Sequence, residues 1–362
     1  MEQRPRIIAT VINDVVYDQR MIRICTSLSN SYEVALWGRK KSRLPIDKRP
    51  YQQRRFSFLI NKGPFFYLAY NIRIFISLLF TPFDIVHAVD LDTLLGTYLA
   101  SKFKGKKLIL DAHEYFTEVP ELHNRPTQKK IWLILERYLV PKVNSGITVS
   151  HSIAREYKEL YQKEFSVILN CPNVQSYETK KNPLPYIIYQ GALNKGRGLE
   201  ALILAMKEIP LDLKIAGSGD IEDKLRLLVK KLQLENKIEF LGMFKPTELP
   251  SITQQAFLGY NAMENLGLSY YYSLSNKFFD YIHAGVPVIT NSFPEYDAIN
   301  KMYNCCIYSE ADSKQLANVI NQLIKDHKMY KSLKTNCIKA SKSMNWKIEE
   351  AKLIEFYNKL FD

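Results

Sequence analysis

An α/β fold of two doubly wound parallel-sheet domains is what this sequence predicts, on three observations. Short apolar runs alternate with stretches of helical periodicity along most of the chain. A polar, proline-bearing stretch at 171–185 interrupts that alternation, which then restarts. The 362 residues suffice for two domains with separate cores, at roughly 100 to 200 residues per domain.

In chain order, strand-like runs at 6–12, 32–37, 83–89, 107–112, 146–149 and 166–169 enclose helical periodicity at 20–28, 91–103 and 153–161. Short runs rich in Ile and Val suit strands buried on both faces, with the helices as parallel crossovers. After the interruption, strands are expected at 186–190, 211–216, 237–241, 256–261 and 287–290. Helices are expected at 199–209, 221–232, 246–255 and 276–284. The domains read as 1–172 and 173–345, with a last helix over 346–362. Ligands of such sheets sit beyond the carboxyl ends of the strands, so those loops are where chemistry is sought.

Fifty Lys and Arg against 37 Asp and Glu give a formal charge of +13, which favours anionic partners. Nine basic residues (Arg39, Lys40, Lys41, Arg43, Lys48, Arg49, Arg54, Arg55, Lys62) crowd one short segment, with Asp47 the single acid among them. This block is either a solvated loop or a surface for anionic lipid. The aromatic residues lie in apolar runs apart from it, which argues against a single-stranded nucleic-acid partner. Directly after it, FFYLAYNIRIFISLLF at 65–80 falls short of the roughly 20 residues that span a bilayer, so it reads as a core helix or an interfacial one. Five cysteines without metal-type spacing build no disulfide framework, and the N-terminus runs into a strand without a secretory apolar core. A cytoplasmic protein is expected.

In the second half, the run from Gly191 to Gly198 (GALNKGRG) joins a strand to a helix. Backbone N–H groups there, beside Lys195 and Arg197, suit a diphosphate, although glycines also serve plain αβ turns. A second turn, AGSGD, carries Ser218 and Gly219; Ser218 or Asp220 either faces a nucleotide or caps the next helix. In SLSNKFFDYIHAGVPVIT, Asn276 and Lys277 begin a helix and Asp280 follows one turn on. Lys277 and Asp280 therefore share a helix face, as a phosphate ligand and a ribose-hydroxyl acceptor or as a surface ion pair.

In the first half, two strand ends carry polar clusters: His87, Asp90 and Asp92, and then Asp111, His113 and Glu114. Their position favours a ligand-facing role, and a neutral His113 imidazole there would accept hydrogen bonds from hydroxyl groups. The Asp90-Leu-Asp92 triplet has the form of a metal-binding Asp-x-Asp, and its carboxylates otherwise suit a ligand pocket or a helix N-cap. Asn13, Asp14, Asp18 and Arg20 follow the first strand and suit either a ligand-facing loop or ordinary structure.

The segment SNKFFDYIHAGVPVI resembles the donor-site helix of family-4 retaining glycosyltransferases of the GT-B fold. YQGALNKGRGLEALILAM, LKIAGSGD and IEFLGMFKPTEL resemble that family's other donor-side turns in order and spacing, while INDVVYDQR, HAVDLDTL, LILDAHEY and ITVSHSIA resemble a bacterial subgroup building cell-surface polysaccharides. The resemblance implies two domains facing across a cleft, with the last helix crossing back to the first. It implies donor binding by Gly191, Arg197, Gly198, Ser218, Gly219, Asn276, Lys277 and Asp280, and catalytic roles for His113, Arg197 and Lys277. The acceptor side would be His87, Asp90, Asp92, Asp111, His113 and Glu114. The chain departs from the family at Ala192, where an arginine is frequent, and at Tyr272, where many members carry the first of two glutamates seven residues apart. By spacing, Glu264 lies too far upstream to take that place.

The function so implied is transfer of a sugar, with retention, from a UDP- or GDP-sugar to a glycan or polyprenyl-linked saccharide in cell-surface polysaccharide or lipopolysaccharide synthesis. It needs no cofactor or metal, and its expected place is the inner face of an anionic membrane. A sugar-nucleotide epimerase or phosphorylase of the same fold, and a non-catalytic membrane-surface protein, are the competing readings.

Overall fold

The computed structural model describes residues 4–42, 45–173, 186–244 and 248–361. Arg43 of the basic block, positions 174–185 of the interrupting stretch and the start of the helix expected at 246–255 lie outside the described residues. Two compact units result: Met1–Asn170 together with Glu349–Asp362, and Cys171–Ile348.

The first unit runs β1 (Arg6–Thr10), α1 (Gln19–Leu28), β2 (Glu33–Arg39), β3 (Gln52–Phe56), α2 (Pro64–Leu79), β4 (Ile85–Val89), α3 (Asp90–Lys104), β5 (Lys107–Ala112), α4 (Pro120–His123), α5 (Pro126–Leu139), β6 (Ser145–Thr148), α6 (His151–Tyr161) and β7 (Phe165–Val167). Its seven strands are all parallel, in the order β3-β2-β1-β4-β5-β6-β7. Central β4 is buried at every position, as expected for a strand covered on both faces. Helices α2, α3 and α5 pack on one another, with α3 also against β4 and β5, and the right-handed crossover rule assigns α1 to the opposite face of the sheet. Side chains start the helices where the sequence changes period: Asp18 accepts from the Met21 N–H at the head of α1, and Ser150 from the Ile153 N–H at the head of α6.

Part of the basic block is a strand. β3, QQRRF, pairs with β2 at the sheet edge and alternates exposed and covered positions, because an edge strand needs fewer apolar residues. Its arginines also discourage pairing with another chain.

The second unit runs β8 (Tyr186–Gln190), α7 (Leu199–Ala205), β9 (Asp212–Ala216), α8 (Glu222–Lys231), β10 (Ile238–Gly242), α9 (Leu249–Thr253), β11 (Leu258–Tyr260), α10 (Leu268–Tyr271), α11 (Asn276–His283), β12 (Val288–Thr290), α12 (Pro294–Tyr303), β13 (Cys306–Tyr308), α13 (Ser313–Lys325) and α14 (His327–Ser343). The six parallel strands order as β10-β9-β8-β11-β12-β13. A core of Ile187, Leu202, Ile203, Leu213, Ile215, Leu258 and Ile289, among others, lies between sheet and helices. The helix expected over 199–209 stops at Ala205, a few residues ahead of Pro210.

The last helix, α15 (Trp346–Phe361), belongs to the first unit from Glu349 onward. Glu349 accepts from the Leu169 N–H at 2.8 Å, Asn358 accepts from the Tyr32 hydroxyl at 2.7 Å, and the Tyr357 hydroxyl lies 2.6 Å from Nδ1 of His87.

Candidate functional site

In the second unit the two glycine turns are laced to each other. The N–H of Gly191 donates to Ala216, that of Leu193 to Ser218 and that of Ile221 back to Leu193, at 2.9 to 3.0 Å. This approach admits no side chain: a Cβ on Gly217, at φ +148°, would stand 1.9 Å from the Gly191 carbonyl oxygen, and one on Gly219 2.5 Å from that of Leu193. Gly198, at φ +66°, precedes α7 directly. The glycines are thus required first by backbone packing. Neither Ser218 nor Asp220 caps the next helix, because α8 begins at Glu222 with Ile221 in the cap position and no side-chain bond. Ser218 is instead exposed on its turn.

Arg197, half-buried, lies with its guanidinium carbon 4.8 Å over the Tyr270 ring and donates to the Met263 sulfur at 3.3 Å. Lys277, on α11, is only 8% exposed, and its ammonium sits 5.0 Å over the ring of Tyr189. Burial drives the Lys277 pKa well below its ordinary value, the charge of Arg197 adds to this, and Asp280 works against it. Two cationic groups therefore converge here. The charge on Lys277 is disfavoured by its burial and by Arg197.

Asp280, one turn along α11, accepts from Gln190 Nε2 at 2.9 Å, and Gln190 accepts in turn from the Thr253 hydroxyl at 2.7 Å. The last residue of β8 thus holds the carboxylate in place. Ser275, ahead of α11, gives that helix no side-chain cap; its hydroxyl donates to Asn261 at 2.7 Å, and Asn276 begins the helix exposed. Glu264, which spacing sets aside, has its N–H on the Gly196 carbonyl at 3.0 Å, at the same turn as Arg197. The short helix α10 takes up the extra residues between Glu264 and α11, an excursion no motif spacing reveals.

In the first unit, Asp111 at the end of β5 is the centre of a buried cluster. Arg20 donates to it twice, from Nε at 3.1 Å and Nη2 at 2.9 Å, and a third time to the Ile168 carbonyl at 2.7 Å. His87 Nε2 lies 3.3 Å and His113 Nε2 3.0 Å from the same Asp111 oxygen. Burial opposes ionisation of Asp111, yet Arg20, His113 and His87 outweigh it and hold its carboxyl well below the usual range. Asp90 follows β4 at φ +55° and accepts from the His113 N–H at 2.8 Å. Burial raises its pKa to about 6 against the pull of His113. Burial works against a charge on His113 as well, but Asp111 and then Asp90 raise its pKa to about 9.

Two expectations change accordingly. His113 is an imidazolium near neutral pH, a donor rather than the neutral acceptor expected. His87 and Asp111 are fully buried, and Asp92 is 7% exposed within α3. Burial pushes the Asp92 carboxyl well up. These three residues support the site from beneath, leaving Asp90, His113 and exposed Glu114 at its surface. Asp90 and Asp92 also do not converge, since residues two apart in a helix point to different sides. Among the described residues no three His, Cys, Asp or Glu side chains form a metal-holding group. Arg20, left undecided by sequence, is the principal partner of the cluster.

The family profile described as glycosyl transferases group 1 matches residues 174–340, and that described as glycosyltransferase family 4 matches residues 19–175. A Candida albicans protein named chitobiosyldiphosphodolichol beta-mannosyltransferase is 28% identical over 149 residues, 38% of this chain; the match spans 31% of that protein's length. Among solved structures, a sucrose-phosphate synthase from Thermosynechococcus elongatus superposes with a TM-score of 0.81 at 16% identity, covering 99% of each chain. Alr3699/HepE of Anabaena, solved with UDP and glucose, superposes with a TM-score of 0.75 at 16% identity, over 97% of this chain and 99% of that one.

Proposed function

The chain belongs to the family-4 glycosyltransferases, with the GT-B fold, and from that premise we propose that its second unit binds a nucleotide sugar and its first unit supports the acceptor. The observation that carries the reading is the pair Arg197 and Lys277 beside Asp280: two cationic side chains in one turn region, the charge of Lys277 disfavoured by burial and by Arg197, suit an anionic ligand. A nucleoside diphosphate meets that need, and in this reading Asp280 accepts hydrogen bonds from its ribose hydroxyls.

In this reading the departing diphosphate gathers charge as the anomeric carbon gains oxocarbenium character. Arg197 and Lys277 stabilise that charge, each such contact typically contributing a few kcal/mol to the barrier. The imidazolium of His113 donates to a hydroxyl of the reacting sugars. The donor is a UDP- or GDP-sugar, a choice supported by the relative solved with UDP and glucose. The acceptor is a glycan or lipid-linked saccharide, in line with the dolichol-linked substrate in the name of the Candida relative, reached from the inner face of an anionic membrane in cell-surface polysaccharide synthesis. Transfer proceeds with retention and without a metal.

A thermal-shift screen of UDP- and GDP-sugars tests the donor, because a bound ligand raises stability by mass action. Nucleotide release only when a glycan acceptor is present marks a transferase; acceptor-independent turnover marks an epimerase, and phosphate-dependent release a phosphorylase. The anomeric configuration of the product decides retention. Absence of stabilisation by any nucleotide sugar would remove the reading.

A further inference from the structure

The helix layer α2–α3–α5 on the first unit's sheet has an outer surface that a free-standing α/β domain does not need. In α2, Phe66, Tyr70, Ile74 and Leu78 face inward and are buried. On the opposite side, Phe65, Leu68, Ile72, Ile76 and Phe80 form a second apolar ridge at helical spacing, each 47% or more exposed. Neighbouring α3 exposes Leu99 and Phe103, four residues apart, and α5 exposes Ile131, Ile134 and Tyr138. The helices are in contact with one another, α2 and α5 through the Tyr67 and Trp132 rings at 5.1 Å. By contrast, α8 of the second unit exposes Asp223, Lys224, Arg226, Lys230 and Lys231 around a single exposed apolar residue, Leu227.

The exposed charged residues of these three helices are all basic. α2 contains no Asp or Glu, and its exposed charge is Arg73. The only acid of α5, Glu136, is buried, while Lys130 and Arg137 are exposed. Lys102 is exposed beside Phe103, and the Lys142 ammonium lies over the Tyr138 ring. Two copies of this surface would bring like charges together, whereas an anionic lipid surface complements both the apolar ridges and their rim. No described helix is long and apolar enough to cross a membrane, so contact is in the plane of the interface.

We propose that the outer face of α2, α3 and α5 is the surface by which this protein lies on an anionic lipid bilayer, its ridge from Phe65 to Phe80 entering the headgroup region. This deepens the membrane-side reading above and rests on it only for the lipid-linked acceptor.

The test is co-sedimentation of the full chain with phosphatidylglycerol–phosphatidylcholine vesicles and with pure phosphatidylcholine vesicles, alongside the double variant Ile72→Asp/Ile76→Asp and the control Leu227→Asp on α8. Wild type and control should partition onto the anionic vesicles, at least tenfold less onto neutral ones, and the double variant should lose at least tenfold. Its thermal shift with nucleotide sugar should equal that of wild type, which shows that it folds and separates a failed docking face from a failed donor site. Wild type remaining in the supernatant with anionic vesicles, or unchanged partition of the double variant, overturns the proposal. A wild-type dimer that the double variant converts to monomer assigns the face to a second copy and likewise overturns it.

Discussion

Arg20 and Asp111, 91 residues apart in sequence, share two hydrogen bonds at 3.1 and 2.9 Å in an environment where neither side chain is more than 2% exposed. Arg20 also ties the Ile168 carbonyl into the cluster. Asp111 in turn fixes the rings of His87 and His113, so this ion pair carries the geometry of the first unit's candidate site.

Arg20→Met should leave the buried Asp111 carboxylate with only the His87 and His113 imidazoles as partners, costing about 3 kcal/mol, the low end for a broken buried pair. Urea unfolding followed through the transition of the first unit measures it. The double variant Arg20→Met/Asp111→Leu should recover part of the loss, since the buried carboxylate is removed together with its guanidinium partner. A single variant as stable as wild type would show that the pair does not hold the cluster together.

His113 makes stability depend on pH in a definite direction. Its pKa rises from the ordinary 6.5 to about 9 in the folded chain. The stabilisation is therefore complete below pH 6.5 and disappears as pH climbs through about 9. Melting temperatures recorded between those limits should fall for wild type and be flatter for His113→Gln.

Lys277→Ala should lower sugar transfer by roughly 10²–10³-fold, with an unchanged circular-dichroism spectrum. Because burial and then Arg197 depress the lysine pKa in the free protein, a bound diphosphate should raise it again. UDP binding above the free-state pKa should then take up a proton, and affinity should weaken as pH rises. Calorimetry in two buffers of different ionisation enthalpy detects the uptake, which Lys277→Ala should abolish.

Gly217→Ala should cost about 3 kcal/mol or more, because the new Cβ meets the Gly191 carbonyl oxygen at a strained φ. Gly105→Ala, at φ +64° with nothing within 4 Å, should cost only about 1 kcal/mol. Chemical denaturation of the two variants compares a backbone contact between turns with a local conformational strain.

Much of this protein is legible in its sequence because the signals are local. The alternation of apolar runs with helical periodicity reports strands and crossovers directly. The N-terminal position of Lys277 on its helix, with Asp280 three residues on, places both on one face whatever packs around them. The basic, weakly apolar β3 escapes such reading, since an edge strand needs less of the pattern that reveals a central one.

Local order along the chain determined the two parallel sheets, the turns at Gly191 and Gly217, and the candidate donor face at Lys277 and Asp280. Packing between distant segments decided the rest: that His87 and Asp111 lie beneath the surface, that Arg20 pairs with Asp111, that Glu264 adjoins Gly196, and that the surroundings raise the pKa of His113 and lower that of Lys277. Burial and ionisation depend on neighbours brought from far along the chain, and no spacing within one segment encodes them.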